Sequence, residues 1–439
     1  MRSYIVQWSQ LIVRRILKML PWFKKPQHSP LTLPNLPSFH HMKITHLPGE
    51  VKLFQREIQQ LQQQLKSVLH GVLRNTITPE HTSLNPEERR ILAEIDKERD
   101  RANRNNVTRT AAYVRFYLQF PEIHWALLAH MVSRNGGWNM TDLHGDLSGA
   151  FLTAQQRFNF YRLLERCNAL IFYDAYPQLL LYAKSMEHQR SYFHLLPYFQ
   201  VSPFMHPIWE SFWSVSRLQR EGVEEAGGAE TARTASSVLT VALIINEQNV
   251  IETNVLTISP YKEILHSLLF HLQEWLHFNY LLFPLNSEQQ DRDMTPIWRP
   301  LVGRVVTQFA QLEERIETGR MLYALLFSNK ELTDAISHFV QSQPHTGSRA
   351  DYWHQVFTTS GAKRNHRPSR QGFPTLYSPT LEAVWEDTQH HFPTMRPWFQ
   401  DLTAILQFQY SISVKDVDVT DEYYHHLLQM VTINPPKRK

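Results

Sequence analysis

A chain of 439 residues is long enough for one large domain or for two or three smaller ones. With 42% hydrophobic and 12% aromatic residues it has ample material for a core, which excludes a charge-rich disordered protein. The formal net charge is only +4, with basic residues gathered at the ends and in one internal loop, which argues against nucleic-acid binding.

Only 14 glycines occur, while Leu, Gln, Glu and Arg recur, so the composition favours helices over an all-β fold. The expected fold class is all-α: a multi-helix single large domain with an N-terminal amphipathic helix and a Pro-rich linker. A single cysteine, Cys167, excludes an intrachain disulfide and a thiolate-rich metal site, which points to the cytoplasm. Cys167 sits in an apolar segment and reads as a small buried hydrophobe. The longest apolar run, Val238 to Ile245, is too short to span a bilayer.

Residues 1–23 place Tyr4, Ile5, Trp8, Ile12, Ile16 and Met19 on one helical face and Arg14 and Lys18 on the other. Such a basic amphipathic helix suits either an anionic membrane surface or the protein's own body. Five prolines between Pro26 and Pro48 mark residues 24–49 as an extended linker. The main helical domain is then expected over 50–439. It opens with a helix at 50–74 whose seam runs Val51, Phe54, Ile58, Leu61, Leu65, Val68 and Val72, suited to docking on the domain or to a short coiled coil.

Asn85, Pro86 and Glu88 supply an N-cap, a first-turn proline and an N3 carboxylate, so a helix starts there and runs to about Arg104. Helical patterns follow at 108–119, 121–134, 153–172, 176–190, 204–219, 237–257, 260–282, 299–327, 330–341, 350–358 and 380–390. Residues 221–237 form an expected flexible insertion, and 363–379 an Arg-, Pro- and Ser-rich loop.

Four polar islands interrupt this apolar background. The first, Asn105 to Thr110, contains Arg109 and offers Asn106 or Thr108 as a helix cap. In the second, Ser133 to Asp146, Gly136 and Gly137 are expected to end one helix and Thr141 or Asp142 to start another. Arg134, Asn135, Trp138, Asn139, Asp142 and His144 crowd this stretch, and His124 on the helix before it projects toward the same neighbourhood as a candidate general base. The third island is Asn246 to Asn249, where Glu247 must find donors, hold a proton or bind a cation; a network to Arg109, Arg134 or Arg349 would satisfy it. The fourth, His345 to Trp353, reads as a capping box of Ser348 and Asp351 whose free N–H groups, with Arg349, suit an anion.

Glu-x-x-His occurs at Glu263/His266, Glu274/His277 and Glu422/His425, but the first two pairs fall opposite a leucine stripe, so no metal site is expected. The common phosphate-loop, dinucleotide, hydrolase and zinc-protease motifs do not occur, and no pattern specifies a cofactor.

The stretches NVTRTAAYVRFY (106–117), FPEIHWALLAHMVSRNGGWNMTDL (120–143), LIFYDAYPQLLLY (170–182), LIINEQNVIE (243–252) and PHTGSRADYW (344–353) resemble a family known from Bacillus and related bacteria, catalogued as domain of unknown function 2515. The resemblance covers roughly residues 85–390 and leaves out the amphipathic start, the linker and the 221–237 insertion. It implies a cytoplasmic, bacterial, all-α protein and brings no activity, cofactor or catalytic residue.

Two functional expectations result. In one, the islands converge on a pocket for a small polar or anionic ligand. Arg109, Arg134, Asn135, Trp138, Asn139, Ser348, Arg349 and Asp351 would bind it, and His124, Asp142, His144 and Glu247 would supply acid–base chemistry. In the other, the protein is a non-enzymatic scaffold held at the inner membrane surface by residues 1–23, with the islands as polar glue between helices.

Overall fold

The computed structural model describes residues 49–51, 55–73, 84–147, 152–221, 228–267, 270, 280–284, 301–306, 308–361, 375–392, 394–408, 412–414 and 418–433. The expected amphipathic helix, the linker up to residue 48 and the basic tail 437–439 lie outside the described residues.

After a short strand β1 (Gly49–Val51), helix α1 (Gln55–Leu73) carries the heptad seam. Ile58, Leu61, Leu65 and Leu69 are buried within the chain, and α1 packs against the helix Met205–Arg220, so the seam serves the fold of a single chain. Helix α2 (Pro86–Ala102) starts where the local signature places it: Asn85 Oδ1 accepts from Glu88 N at 2.8 Å and Glu88 Oε2 accepts from Asn85 N at 3.0 Å. Helix α3 (Asn106–Gln119) is capped by Asn105, not by Asn106 or Thr108; Thr108 is its N3 partner, with Thr108 N donating to Asn105 Oδ1 at 3.0 Å.

Helix α4 runs unbroken from His124 to Asp142, against the expected break at the glycines and restart at Thr141 or Asp142. Gly137 serves packing here. A Cβ on it would lie 2.5 Å from Asn106 Oδ1 and 2.7 Å from His345 Cε1, so the bare backbone admits the Asn106–His345 hydrogen bond of 2.8 Å. Helix α5 (Ala154–His188) joins the two segments expected at 153–172 and 176–190. Pro177 lies inside it, where Ala175, Tyr176 and Gln178 are also buried, so tertiary packing overrides the breaker.

A 3₁₀ turn (Phe193–Phe199) leads to α6 (Met205–Arg220), and α7 (Gly228–Ile251) continues as a π turn over Glu252–Leu256. Helix thus occupies 228–237 of the expected flexible insertion, and 222–227 lie outside the described residues. Helix α8 (Tyr261–Leu265) forms within the stretch expected as helix at 260–282, but the end of that stretch at 280–282 and the first part of the helix expected at 299–327 are strand: β2 (Tyr280–Pro284) pairs antiparallel with β3 (Leu301–Val305). Val302, Val305 and Val306 favour the extended backbone. Asn135 of α4 also grips β2: its Oδ1 accepts from Leu282 N at 2.8 Å and its Nδ2 donates to Leu282 O at 3.1 Å.

Helices α9 (Leu312–Phe327) and α10 (Lys330–Ser342) follow, the latter capped by Asn329. The helix expected at 350–358 is instead a 3₁₀ turn (Arg349–Asp351) and a strand, β4 (Phe357–Thr358), parallel to β5 (Leu376–Tyr377). Of the helix expected at 380–390 only α11 (Leu381–Val384) forms. A short α12 (Thr403–Leu406), β6 (Ile412–Val414) antiparallel to β1, and α13 (Thr420–Ile433) complete the chain order. The fold is therefore predominantly α-helical, as composition and periodicity imply, with strands confined to short pairs. No helix among the described residues is long and apolar enough to cross a membrane. At the centre α4 packs against α3, α5, α7 and α9.

Candidate functional site

Around α4 these helices leave a cavity of about 260 Å³, against the roughly 10–15 Å³ that a single water requires. Trp125, Leu128, Val132, Gly136, Asn139 and Leu143 line it, each three or four residues after the last, so one face of α4 forms a wall along its length. From Trp125 to Leu143 that wall extends about 27 Å at 1.5 Å per residue. The facing surfaces are mostly apolar: Leu163 and Ile171 from α5, Ile251 from α7, Leu322 from α9, and Phe270 and Phe309 from the connections. All four polar islands reach this one cavity, through Arg109, through Asn139 and Asp142, through Glu247 and Gln248, and through Arg349.

Most of the charge in the wall is already matched. Arg109 Nη2 donates to Glu165 Oε2 at 2.6 Å, and both side chains are 1% exposed. Burial pushes the Glu165 carboxyl up, but Arg109 and His390 outweigh it and hold the group below the ordinary range. Arg349 Nε donates to Asp142 Oδ2 at 2.7 Å and Nη1 to the Tyr423 hydroxyl at 2.5 Å. Arg315 is engaged by Glu252 at 2.5 Å and by Gln248 Oε1 at 3.0 Å. Cys167 lines the cavity as a buried thiol that burial pushes up to about 12, which makes it inert as a nucleophile.

Glu247 differs from the other acids. The expected network to Arg109, Arg134 or Arg349 does not form; among the described residues its carboxyl takes only neutral donors, Trp125 Nε1 at 3.1 Å and Gln248 Nε2 at 3.1 Å. Its remaining surface faces the cavity, and burial pushes it up to about 8. Asn139 also faces the cavity, and its amide has no protein partner among the described residues.

Behind Glu247 stands Asp174, on α5, which sequence reasoning passed over. It is fully buried, accepts from Asn246 Nδ2 at 2.5 Å and Gln178 Nε2 at 2.8 Å, and leaves Oδ1 without a partner. Burial raises its carboxyl to about 7, so below neutral pH it holds a proton in the folded state. From about pH 4 to 7 the unfolded chain ionises while the folded chain does not, so this group lowers stability as pH rises and the loss levels off above 7. Asp174→Asn is expected to remove that slope, making the variant more stable than wild type at pH 8 by an amount on the order of 4 kcal/mol at most. Urea unfolding from pH 4.5 to 8 checks this; parallel curves for the two proteins would contradict it.

Other expected site residues point elsewhere. His124 stacks on Phe327 at 4.0 Å and its Nδ1 lies 3.1 Å from the Tyr323 hydroxyl, away from the cavity wall. Burial pulls its imidazole down to about 4. His144 packs edge-on against Trp385. Arg134 donates to the carbonyls of Gln343 and Pro344 and lies 4.8 Å over the Phe339 ring. Trp138 is enclosed by Tyr352 and Trp353 with the Arg349 guanidinium 4.8 Å above it.

Ser348 does cap the 3₁₀ turn, but Asp351 returns to Thr346 N at 2.7 Å instead of closing a capping box. Arg349 N is taken by Ser378 Oγ and Ala350 N by Ser348 Oγ, so the expected anion-binding N–H groups are occupied. Among the described residues no three His, Cys, Asp or Glu side chains gather in a way that could hold a metal ion.

The family described as "Protein of unknown function (DUF2515)" matches residues 101–423. The chain belongs to that family. The match extends about 30 residues past the C-terminal limit expected from sequence, taking in α12 and the start of α13. "Uncharacterized protein YppC" of Bacillus subtilis (strain 168) is 36% identical over 344 residues, covering 78% of this chain and 93% of that protein. No solved structure matches. Every residue that lines the cavity, from Arg109 to Arg349, lies inside the segment that defines this DUF2515 protein.

Proposed function

We propose that the protein binds an elongated, largely apolar small molecule in the cavity beside α4, with its polar groups met by Asn139 and Glu247. The observation that supports this reading is the cavity itself: about 260 Å³ of space with mostly apolar walls, into which two side chains without ionic partners project. Binding sites for small molecules have this character, an apolar concavity with a few placed polar groups. The geometry favours binding over the expected acid–base catalysis, because His124 stands outside the cavity and Asp142 is engaged by Arg349. An anion is a poor fit, since Arg109, Arg315 and Arg349 each have a protein carboxylate. We place this function in the cytoplasm on the strength of the single buried cysteine.

Calorimetric titration of the full chain with 1-octanol is expected to give a dissociation constant below about 1 mM, equivalent to roughly 4 kcal/mol. Ala129→Phe and Ile171→Phe, which fill the cavity from α4 and α5, should each abolish the heat while circular dichroism stays unchanged. Absence of binding, or equal binding by folded variants, would count against the cavity as the site.

A further inference from the structure

We propose that the polar end of the ligand is an organic cation, an alkylammonium seated at Glu247 beside Trp125 and Tyr113. This rests on the cavity being a binding site and adds the chemical class of what it holds. The first ground is the charge inventory of the wall. Arg109, Arg315 and Arg349 are each paired with a carboxylate, and Asp142 with Arg349; Glu247 is the lining acid with no cation beside it among the described residues. Its two protein donors are both neutral, and a carboxylate has room for further donors.

The second ground is the aromatic surround. Trp125 and Tyr113 also line the cavity, packed edge to face on one another with centroids 5.4 Å apart, and an aromatic wall attracts a desolvated ammonium. A carboxylate ligand would find no free cation there, since every lining arginine is already engaged.

Without a cation, burial keeps a proton on Glu247 near neutral pH. An incoming ammonium stabilises the carboxylate, so the acid proton leaves to solvent as the ion pair forms, and the ammonium keeps its own three. The titratable groups around Glu247 are Tyr113 from α3, Asp174 from α5 and, through Gln248, Arg315 from α9. None of them supplies a free positive charge to compete with the ligand.

The test compares octylamine, 1-octanol and octanoate on the full chain at pH 7.5, for wild type and Glu247→Gln, by calorimetry in two buffers of different ionisation enthalpy. Octylamine should bind wild type at least tenfold tighter than octanol, with proton release, and octanoate weakest. Glu247→Gln should erase the preference for the amine and the proton release, so that the variant binds octylamine no tighter than octanol. Octanol binding as tightly as octylamine would overturn the cation and leave the cavity standing. An amine preference that survives Glu247→Gln would also overturn it. Failure of all three probes would remove the cavity reading and this inference together.

Discussion

Replacing Arg349 by methionine is expected to cost the protein about 3–5 kcal/mol, the range for breaking one half of a buried ion pair. Arg349 and Asp142 are both buried, 2.7 Å apart, and Arg349 also holds the Tyr423 hydroxyl of α13 and covers Trp138. The variant takes the Arg349 cation away from the buried Asp142 carboxylate, whose desolvation the ion pair no longer offsets. Adding Asp142→Asn to Arg349→Met should recover part of that loss, because the carboxylate charge that Arg349 balanced disappears with it. Urea unfolding of both singles and the double gives the coupling, expected at about 1 kcal/mol or more. Simple additivity would show that the pair does not act as a unit.

Glu165→Ala should be comparably destabilising. Arg109 would be left uncompensated at 1% exposure, with Asn103 as its remaining side-chain acceptor. The sign of its pH dependence is opposite to that of Asp174. Glu165 is held below its ordinary value, so its stabilisation is present above about pH 4.5 and is lost as pH falls through the folded value. The gap between wild type and Glu165→Ala should therefore narrow in acid. Thermal unfolding at pH 7 and pH 3.5 measures it, and an unchanged gap would contradict the ionised pairing.

What was legible in the sequence follows the physics of each signal. The Asn85–Pro86–Glu88 start and the α1 seam from Ile58 to Leu65 rest on local spacing and appear where that spacing puts them, whereas Val51, the first residue of the expected seam, lies in β1. The glycine pair at 136–137 misleads because glycine has two uses, and the close approach of Asn106 and His345 is visible only in three dimensions. Residues 280–284 and 301–305 misled because a short apolar run suits a buried strand as well as a helix.

For the site, island density marked five residues that do line the cavity: Arg109, Asn139, Asp142, Glu247 and Arg349. It could not say which of them are neutralised, since Glu165 and Glu252 lie outside the islands. Asp174 is the single charged residue between Leu170 and Tyr182, a signal as strong as that of Glu247, but it lies outside the islands. His124 misled because helical phase gives a direction but not the neighbour, and its neighbours are Tyr323 and Phe327 of α9.

The most direct measurement is a crystal of the full chain soaked with an ω-bromoalkylamine and recorded at the bromine absorption edge. An anomalous peak between the α4 wall and Leu163, Ile171 or Leu322, with the amine end toward Glu247, is the predicted result. A peak confined to the protein surface, or none in crystals that take up the compound, would contradict a ligand site beside α4.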